Sequence, residues 1–339
     1  MNWLRFLWVG LLLASAAVRA DEDPVTRIGA SDASARIVVW GSTDLDELRP
    51  VLEAFLARNP TVSIVYHSVQ SARLYERIRA GRTAPPDLAI SSAADLQIKL
   101  VNDGFALEHR PPDGVELPAW ASWRSQAFGI SIEPAVMVFH QSLAALGPLP
   151  QSRAELIQML ARHTALLDGK VATYDIEQSG LGYLFASQDS LYSTTFTTLA
   201  QALGRAHVRL FCCTGDILDE IGKARMLIGY NLLGSYAFAR KQAGAPIEIV
   251  LPDDYTLILS RVALIPRGAA RPDLSGALLD FLLSPEVQRQ SQSLARYHPE
   301  AVTASHPIML NPSLLVYLDP VKRSRFIKAW RSLVEAAAR

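Results

Sequence analysis

Four short stretches hold the residue types that bind small solutes. They are Ser42-Thr43-Asp44, Ser91-Ser92-Ala93, Gln178-Ser179-Gly180 and Asn231 to Ser235. Each is rich in hydroxyls or amides and stands just before a helix-like pattern. Ser, Thr, Asp and Asn in that place cap helices. The free N–H groups of a helix start carry roughly half a positive charge, so the same loops suit an anion. Tyr174, Tyr183 and Tyr255 have faces to pack on a carbon skeleton and hydroxyls to donate. Asp175 and Glu177 are acceptors for solute hydroxyls. Arg73, Lys99 and Arg240 are candidate counter-charges, but Lys99 and Arg240 fall within helical patterns, where solvated cations are common.

Other chemistries lack their residues. The chain has no Gly-x-Gly-x-x-Gly, P-loop, His-Glu-x-x-His or Gly-x-Ser-x-Gly pattern. Gly129-Ile130-Ser131 begins like a nucleophile elbow, but Glu133 stands where the last glycine belongs. Carboxylates are plentiful, so an exported paired-acid hydrolase stays open as an alternative, while the expectation is a protein that is not an enzyme and needs no cofactor. The seven histidines (His67, His109, His140, His163, His207, His298, His306) show no close metal-ligand spacing. Cys212 and Cys213 are the only cysteines. Adjacent Cα atoms lie about 3.8 Å apart, too close for an ordinary bridge. Two buried small side chains is the expected reading, and a vicinal disulfide in an oxidising compartment stays open. Two such ligands do not make a zinc site, and no metal is expected.

These groups sit in a chain of 339 residues, which suggests about two domains. Half of the residues are hydrophobic, enough for packed cores. The 33 basic and 33 acidic residues balance, which argues against a nucleic-acid binder. Met1 to Ala20 reads as a cleaved secretory leader: Arg5, an apolar run from Phe6 to Ala17, and small residues at Val18 and Ala20. Without Arg5 and Arg19, 31 basic residues face 33 acidic ones, a net charge of −2. The mature protein is therefore expected to be exported, soluble and monomeric.

The elements repeat as strand, polar loop, helix. Arg36 to Trp40 reads as a buried strand. Leu45, Leu48, Leu52, Phe55 and Leu56 then recur at helical spacing. Val62 to His67 and Asp87 to Ile90 are further strands, each followed by a helix. Ile130 to Phe139 reads as a crossing strand. A second series runs from Lys170 to Tyr174, through a strand at Met226 to Tyr230, a loop at Asn231 to Ser235 and a helix at Tyr236 to Gln242. Thr256 to Ile265 is a returning strand, Glu286 to Ala295 a helix, and Pro320 to Ala338 a tail helix. The pattern implies two α/β lobes, each a sheet flanked by helices, joined by two crossover strands as a hinge near Val136 to Phe139 and Thr256 to Ser260.

The motifs in this order resemble type 2 periplasmic solute-binding proteins of ABC transporters. The resemblance is nearest to the group with iron(III)-binding, sugar-phosphate and phosphoglycerate-related members. It rests on Ser91 to Gln97 with Lys99 to Gly104, on Gly169 to Gly180, on Tyr230-Asn231-Leu232-Leu233-Gly234-Ser235-Tyr236, and on Leu282 to Gln288. It implies the type 2 periplasmic binding protein fold, with lobe 1 from 30–135 and 260–339 and lobe 2 from 136–259. It also implies a ligand in the interlobe cleft, bound by closure about the hinge. The expected ligand residues are Ser42, Thr43, Ser91, Ser92, Tyr174, Ser179, Gly180, Tyr230, Asn231, Gly234, Ser235 and Tyr255. The implied role is capture of a small anionic organic solute for an ABC permease in the inner membrane. Presentation of solute to a membrane sensor kinase and ferric-ion binding are alternatives. Iron-binding members use adjacent tyrosines, whereas Tyr230 and Tyr236 are separated here, and no Tyr-Tyr pair occurs.

Overall fold

The computed structural model describes residues 23–291 and 304–335. The expected leader and the ends of the helices expected at Glu286 to Ala295 and Pro320 to Ala338 lie outside those residues. Among the described residues, no helix is long and apolar enough to cross a membrane.

The chain begins with β1 (Val25–Ile28), β2 (Ala35–Gly41), α1 (Leu45–Arg58), β3 (Val62–Ser68), α2 (Ser71–Ala80), β4 (Leu88–Ser91) and α3 (Ala94–Asn102). β5 (Ser122–Trp123) and β6 (Ala127–Gly129) follow. It then enters a second unit through β7 (Glu133–His140), α4 (Arg153–Arg162), α5 (Thr164–Leu167), β8 (Val171–Tyr174), α6 (Gly180–Tyr192) and α7 (Phe196–Arg205). β9 (Arg209–Phe211), α8 (Thr214–Gly222), β10 (Ile228–Leu233), α9 (Gly234–Gln242), β11 (Ile247–Val250) and β12 (Thr256–Leu259) complete that series. β13 (Val262–Leu264), α10 (Pro272–Leu283) and α11 (Pro285–Ser291) return to the first unit. β14 (Ser305–Pro307) and α12 (Pro320–Glu335) form the tail.

Each lobe is built on one sheet. The first has the order β1-β3-β2-β4-β13-β6-β5; the second runs β14-β12-β7-β10-β8-β9, with β11 also on β7. β2 is parallel to β3 and β4, and β8 is parallel to β9 and β10. Parallel pairs need crossovers, and here helices supply them. The apolar stripe of α1 explains its docking: Leu48, Leu52, Phe55 and Leu56 are buried, while Leu45 is partly so. Ile37, Val39, Ile64, Leu88 and Ile90 are fully buried in the facing strands.

Three expectations need correction. The loop expected at Asn231 to Ser235 is absent: β10 runs to Leu233, and α9 starts at Gly234. β10 pairs with β7 along its length and with β8 at Ile228 and Gly229, and a bulge between Gly229 and Leu232, where Asn231 has a φ of 59°, interrupts it. The expected hinge also shifts. β7 and β12 lie wholly in the second sheet, and the first two crossings fall at Ile130–Ile132 and Ser260–Arg261, with a third between α11 and β14. The first two crossings bind each other, Ser131 N–H donating to Ser260 Oγ (3.3 Å) and Arg261 N–H to Ser131 Oγ (3.1 Å). Finally, the tail expected on lobe 1 is shared with lobe 2: the segment Pro312–Leu318 packs on α3 of lobe 1, while β14 pairs with β12 and α12 packs on α7. The side chains of Ile327, Trp330 and Val334 are buried there with Ala200 and Tyr183.

One buried polar cluster ties lobe 2 together. Asp189 on α6 accepts from Tyr230 Oη (2.8 Å), Tyr255 Oη (2.7 Å) and Asn231 Nδ2 (2.5 Å). Arg153, fully buried at the start of α4, reaches Asp189 at 3.4 Å and Asp254 at 2.9 Å. Its Nε donates to Tyr230 Oη at 2.8 Å. Burial drives the Tyr230 hydroxyl well above its ordinary pKa, more than Arg153 lowers it, so the hydroxyl stays a donor. Removing one partner of a buried charged group strands the other. Asp189→Ala is therefore expected to lower stability by about 3–5 kcal/mol in urea unfolding; a loss below about 1 kcal/mol would show that the cluster contributes little to the fold.

Candidate functional site

Parallel strand–loop–helix units leave their helix starts at the carboxyl edge of the sheet. Here the two sheets turn those edges toward each other. A cavity of about 550 Å³, counting its open mouth, lies between them. Six helices begin on its wall: α1 at Asp44, α2 at Gln70, α3 just after Ser92, α6 at Ser179, α8 at Cys213 and α9 at Leu233. Ser179 caps its own helix, its Oγ accepting from Gly182 N–H at 3.1 Å. The cap residues of the other five make no side-chain cap bond. α3 is instead served from within by Asp95, which accepts from Leu96 N–H at 2.9 Å. The remaining starts present N–H groups with no capping side chain of their own.

The polar wall comes from both lobes. Ser42 Oγ accepts from Ser92 N–H (3.1 Å) and donates to Ser91 Oγ (3.3 Å). Ser91 in turn donates to Ser71 Oγ (2.9 Å). Opposite, Tyr174 Oη and Thr214 Oγ1 share a bond of 2.6 Å. Burial raises the Tyr174 and Tyr236 hydroxyls above their ordinary pKa, so both remain neutral hydrogen-bonding groups. Among the described wall residues there is one carboxylate, Asp44, and no Lys or Arg. The lobes meet around this cavity. Asp44 N–H donates to Tyr236 Oη across the cleft at 3.0 Å. A Cβ on Gly180 would lie 3.0 Å from Ser71 Cβ and 3.1 Å from Ala93 Cβ, so any larger residue would crowd this approach of the lobes.

The expected site residues divide into two groups. Ser42, Ser92, Tyr174, Ser179 and Gly180 line the cavity. Ser91 stands directly behind it, bonded to the wall residues Ser42 and Ser71. Thr43 is buried, its carbonyl accepting from Tyr66 Oη (2.6 Å). Tyr230 and Tyr255 point instead into the Asp189 cluster, where their hydroxyls are already used, and Asn231 gives its Nδ2 to Asp189 while its buried Oδ1 has no partner. Gly234 packs on Pro134. Ser235 accepts from Arg261 at 3.1 Å, and Arg261 pairs with Glu133 at 2.7 Å near the crossings. The candidate cations lie elsewhere: Arg73 bonds Asp23, Lys99 bonds Asp103 and Arg240 bonds Asp219. Asp175 accepts from Glu177 N–H and Gln178 Nε2, while Glu177 pairs with Arg331.

Sequence reasoning missed Gln70-Ser71 and Cys212-Cys213-Thr214. Both follow the strand–polar–helix pattern that marked the other loops. The second was hidden because β9 has only three residues. The cysteines are also corrected: they are bonded to each other and half-buried on the cavity wall, not packed away as free thiols.

Residues 38–292 match the family model described as bacterial extracellular solute-binding protein. No curated protein matches the chain. Among solved structures, the chain is similar to the substrate binding protein of an ABC transporter from Agrobacterium tumefaciens. That match is 35% identical, covers 92% of this chain and 98% of the other, and has a TM-score of 0.87. The fold is shared with the periplasmic binding protein AfuA from Actinobacillus pleuropneumoniae, solved with fructose-6-phosphate (17% identity, 89% and 99% covered, TM-score 0.68). It is shared as well with iron-bound HitA from Pseudomonas aeruginosa (14% identity, 88% and 99% covered, TM-score 0.66).

Asp95 gives this region a pH dependence. It is 2% exposed and near Arg323 of α12. Burial raises its pKa from 3.8 to about 7, against opposing effects of the Leu96 N–H and Arg323. Between those values the unfolded chain has lost the proton and the folded chain keeps it, so stability falls as pH rises and levels off above about 7. Urea unfolding is expected to show this fall from pH 4 to 8 reduced in Asp95→Asn; an identical pH profile in the variant would contradict the assignment.

Proposed function

We propose that this chain, which belongs to the bacterial extracellular solute-binding protein family, captures a small anionic organic solute between its lobes. The solute is phosphorylated or carboxylated, and the complex docks on an ABC permease that imports it. One observation carries the reading: six helices start on one interlobe cavity whose described wall residues offer hydroxyls and N–H groups and include no Lys or Arg. Each such start favours a negative charge by about 0.3–1 kcal/mol, more where it is partly buried. Backbone N–H groups and hydroxyls bind phosphate or carboxylate without a full cation. The Tyr174–Thr214 pair and Ser42–Ser92 stand on opposite walls, so closure completes the bonds that one lobe begins. The fructose-6-phosphate bound to AfuA, which shares the fold, is a ligand of this chemical class.

The donor set favours this reading over ferric-ion binding. Tyr230 donates to Asp189 inside lobe 2, and Tyr236 accepts from Asp44 N–H, so the two hydroxyls do not converge. The close group Cys212, Cys213 and Asp216 contains two sulfurs already bonded to each other, leaving no thiolate ligand.

A thermal-shift panel of sugar phosphates, phosphoglycerates, di- and tricarboxylates and Fe(III) tests the proposal. An anion at 100 times its Kd is expected to stabilise the protein by about 2.7 kcal/mol. Asp44→Asn, which removes the wall's one carboxylate, is expected to tighten that anion about tenfold. A shift with Fe(III) alone, or a cationic solute that Asp44→Asn weakens, would overturn the anion reading.

A further inference from the structure

Cys212 and Cys213 are bonded to each other, and both stand on the wall of the interlobe cavity. They join β9 to α8, and Cys213 is the N-cap residue of α8. Thr214, the next residue, holds Tyr174 across the same wall. Cys212 Sγ lies 3.3 Å from Asp216 Oδ2, in the first turn of α8. From the other lobe, Asp44 Oδ2 comes within 3.4 Å of where Gly215 would carry a Cβ. The pair thus leads into one of the helix starts on the cavity wall, two residues before Gly215, which faces the other lobe.

We infer that this bridge is a redox-sensitive element of the ligand site: oxidised, it holds the start of α8 in its anion-binding form, and reduced, it weakens capture. The inference rests on the cavity being the anion site. A bridge between neighbours closes no long loop, so its stabilisation of the whole fold is small and its effect is local. The ring it forms contains the Cys212–Cys213 peptide itself and restricts the backbone that leads into α8. Its sulfurs present a polarizable face and carry no proton to donate.

Reduction needs a dithiol, either a small molecule or a dithiol oxidoreductase of the exported compartment. One thiolate of the dithiol attacks a bridge sulfur, forming a mixed disulfide and releasing the other cysteine as a thiolate. The second thiol of the dithiol then displaces the first cysteine. Two electrons and two protons pass to the pair, leaving two cysteine thiols and one oxidised dithiol. Cys213 then has a free sulfur at the N-cap of α8, able to turn onto the N–H groups that an anion would use. A helix start favours the thiolate form, which makes that competitor itself negative. The Cys212 thiol gains a partner in the nearby Asp216 carboxylate. Both changes take the loop away from ligand.

The test is calorimetric titration of three samples: the oxidised protein, the protein reduced with dithiothreitol, and the double variant Cys212→Ser, Cys213→Ser. The probes are inorganic phosphate, fructose 6-phosphate, 3-phosphoglycerate and citrate. Whichever probe binds the oxidised protein is expected to bind the reduced protein and the double variant at least tenfold more weakly. Reoxidation restores the affinity of the reduced sample, and the ligand-free melting temperatures stay within a few degrees. Equal affinity in the oxidised and reduced samples would overturn the inference and leave the anion reading standing. A loss confined to the double variant would overturn it too, because the serines and not the redox state would be responsible. A collapse of the ligand-free melting temperature on reduction would assign the bridge to global stability instead. Failure of every probe with the oxidised protein would count against the anion reading itself, and the inference would fall with it.

Discussion

The convergence of six helix starts on one cavity is the constraint on which the rest of the structure depends. It follows from chain direction. A parallel strand leads through a short loop into a helix, and the loop lies at the carboxyl edge of the sheet. With two such sheets facing each other, every helix that follows an inward-facing edge aims its unsatisfied N–H groups at the same space. No cation has to be buried to make that space attractive to an anion. The 33 basic and 33 acidic residues balance, so under the proposed reading any attraction for an anion is local and dipolar. Close packing at Gly180 and the Asp44–Tyr236 bond bring the two lobes together beside these groups.

Lobe 2 holds two polar systems with opposite tasks. Around Asp189, each carboxylate oxygen is met by protein donors, and Arg153 lies over the Tyr255 ring at 3.4 Å from its centroid. That network satisfies both oxygens of Asp189, and it ties α4, α6, β10 and the approach to β12 to one another. The wall of the cavity is the reverse case, with several helix starts whose cap residues make no side-chain cap bond. A rigid frame beside an unfilled set of donors is the arrangement that preorganised binding requires. Two of the crossings, Ile130–Ile132 and Ser260–Arg261, are short and hydrogen-bonded to each other, which suits them to absorb a change of angle between the lobes.

Much of this was legible in the residues, and the failures have physical causes. The stripe Leu48, Leu52, Phe55 and Leu56 marked α1 because one face of a helix must be buried. Ser42, Ser92 and Ser179 were expected between strands and helices, and they line the cavity there. Tyr230 and Tyr255 misled because a tyrosine at a strand end gives no sign of which way it turns; the partner that claims both, Asp189, lies inside a helix whose sequence shows no functional pattern. The Cys212–Thr214 loop escaped because three-residue β9 is below the length at which alternation registers. The lobe of the tail was beyond reach, since β14 joins β12 by parallel pairing across a long sequence separation, and such contacts leave no local trace.

The most direct measurement is an amide proton–nitrogen correlation spectrum of the protein, titrated with the anion that stabilises it most and, separately, with that solute's uncharged analogue. The account predicts that the anion moves the first-turn N–H signals of α1, α2, α8 and α9 most strongly and together, while the analogue moves them little. Shifts confined to lysine and arginine side chains outside the cleft, or equal shifts with the uncharged analogue, would contradict it.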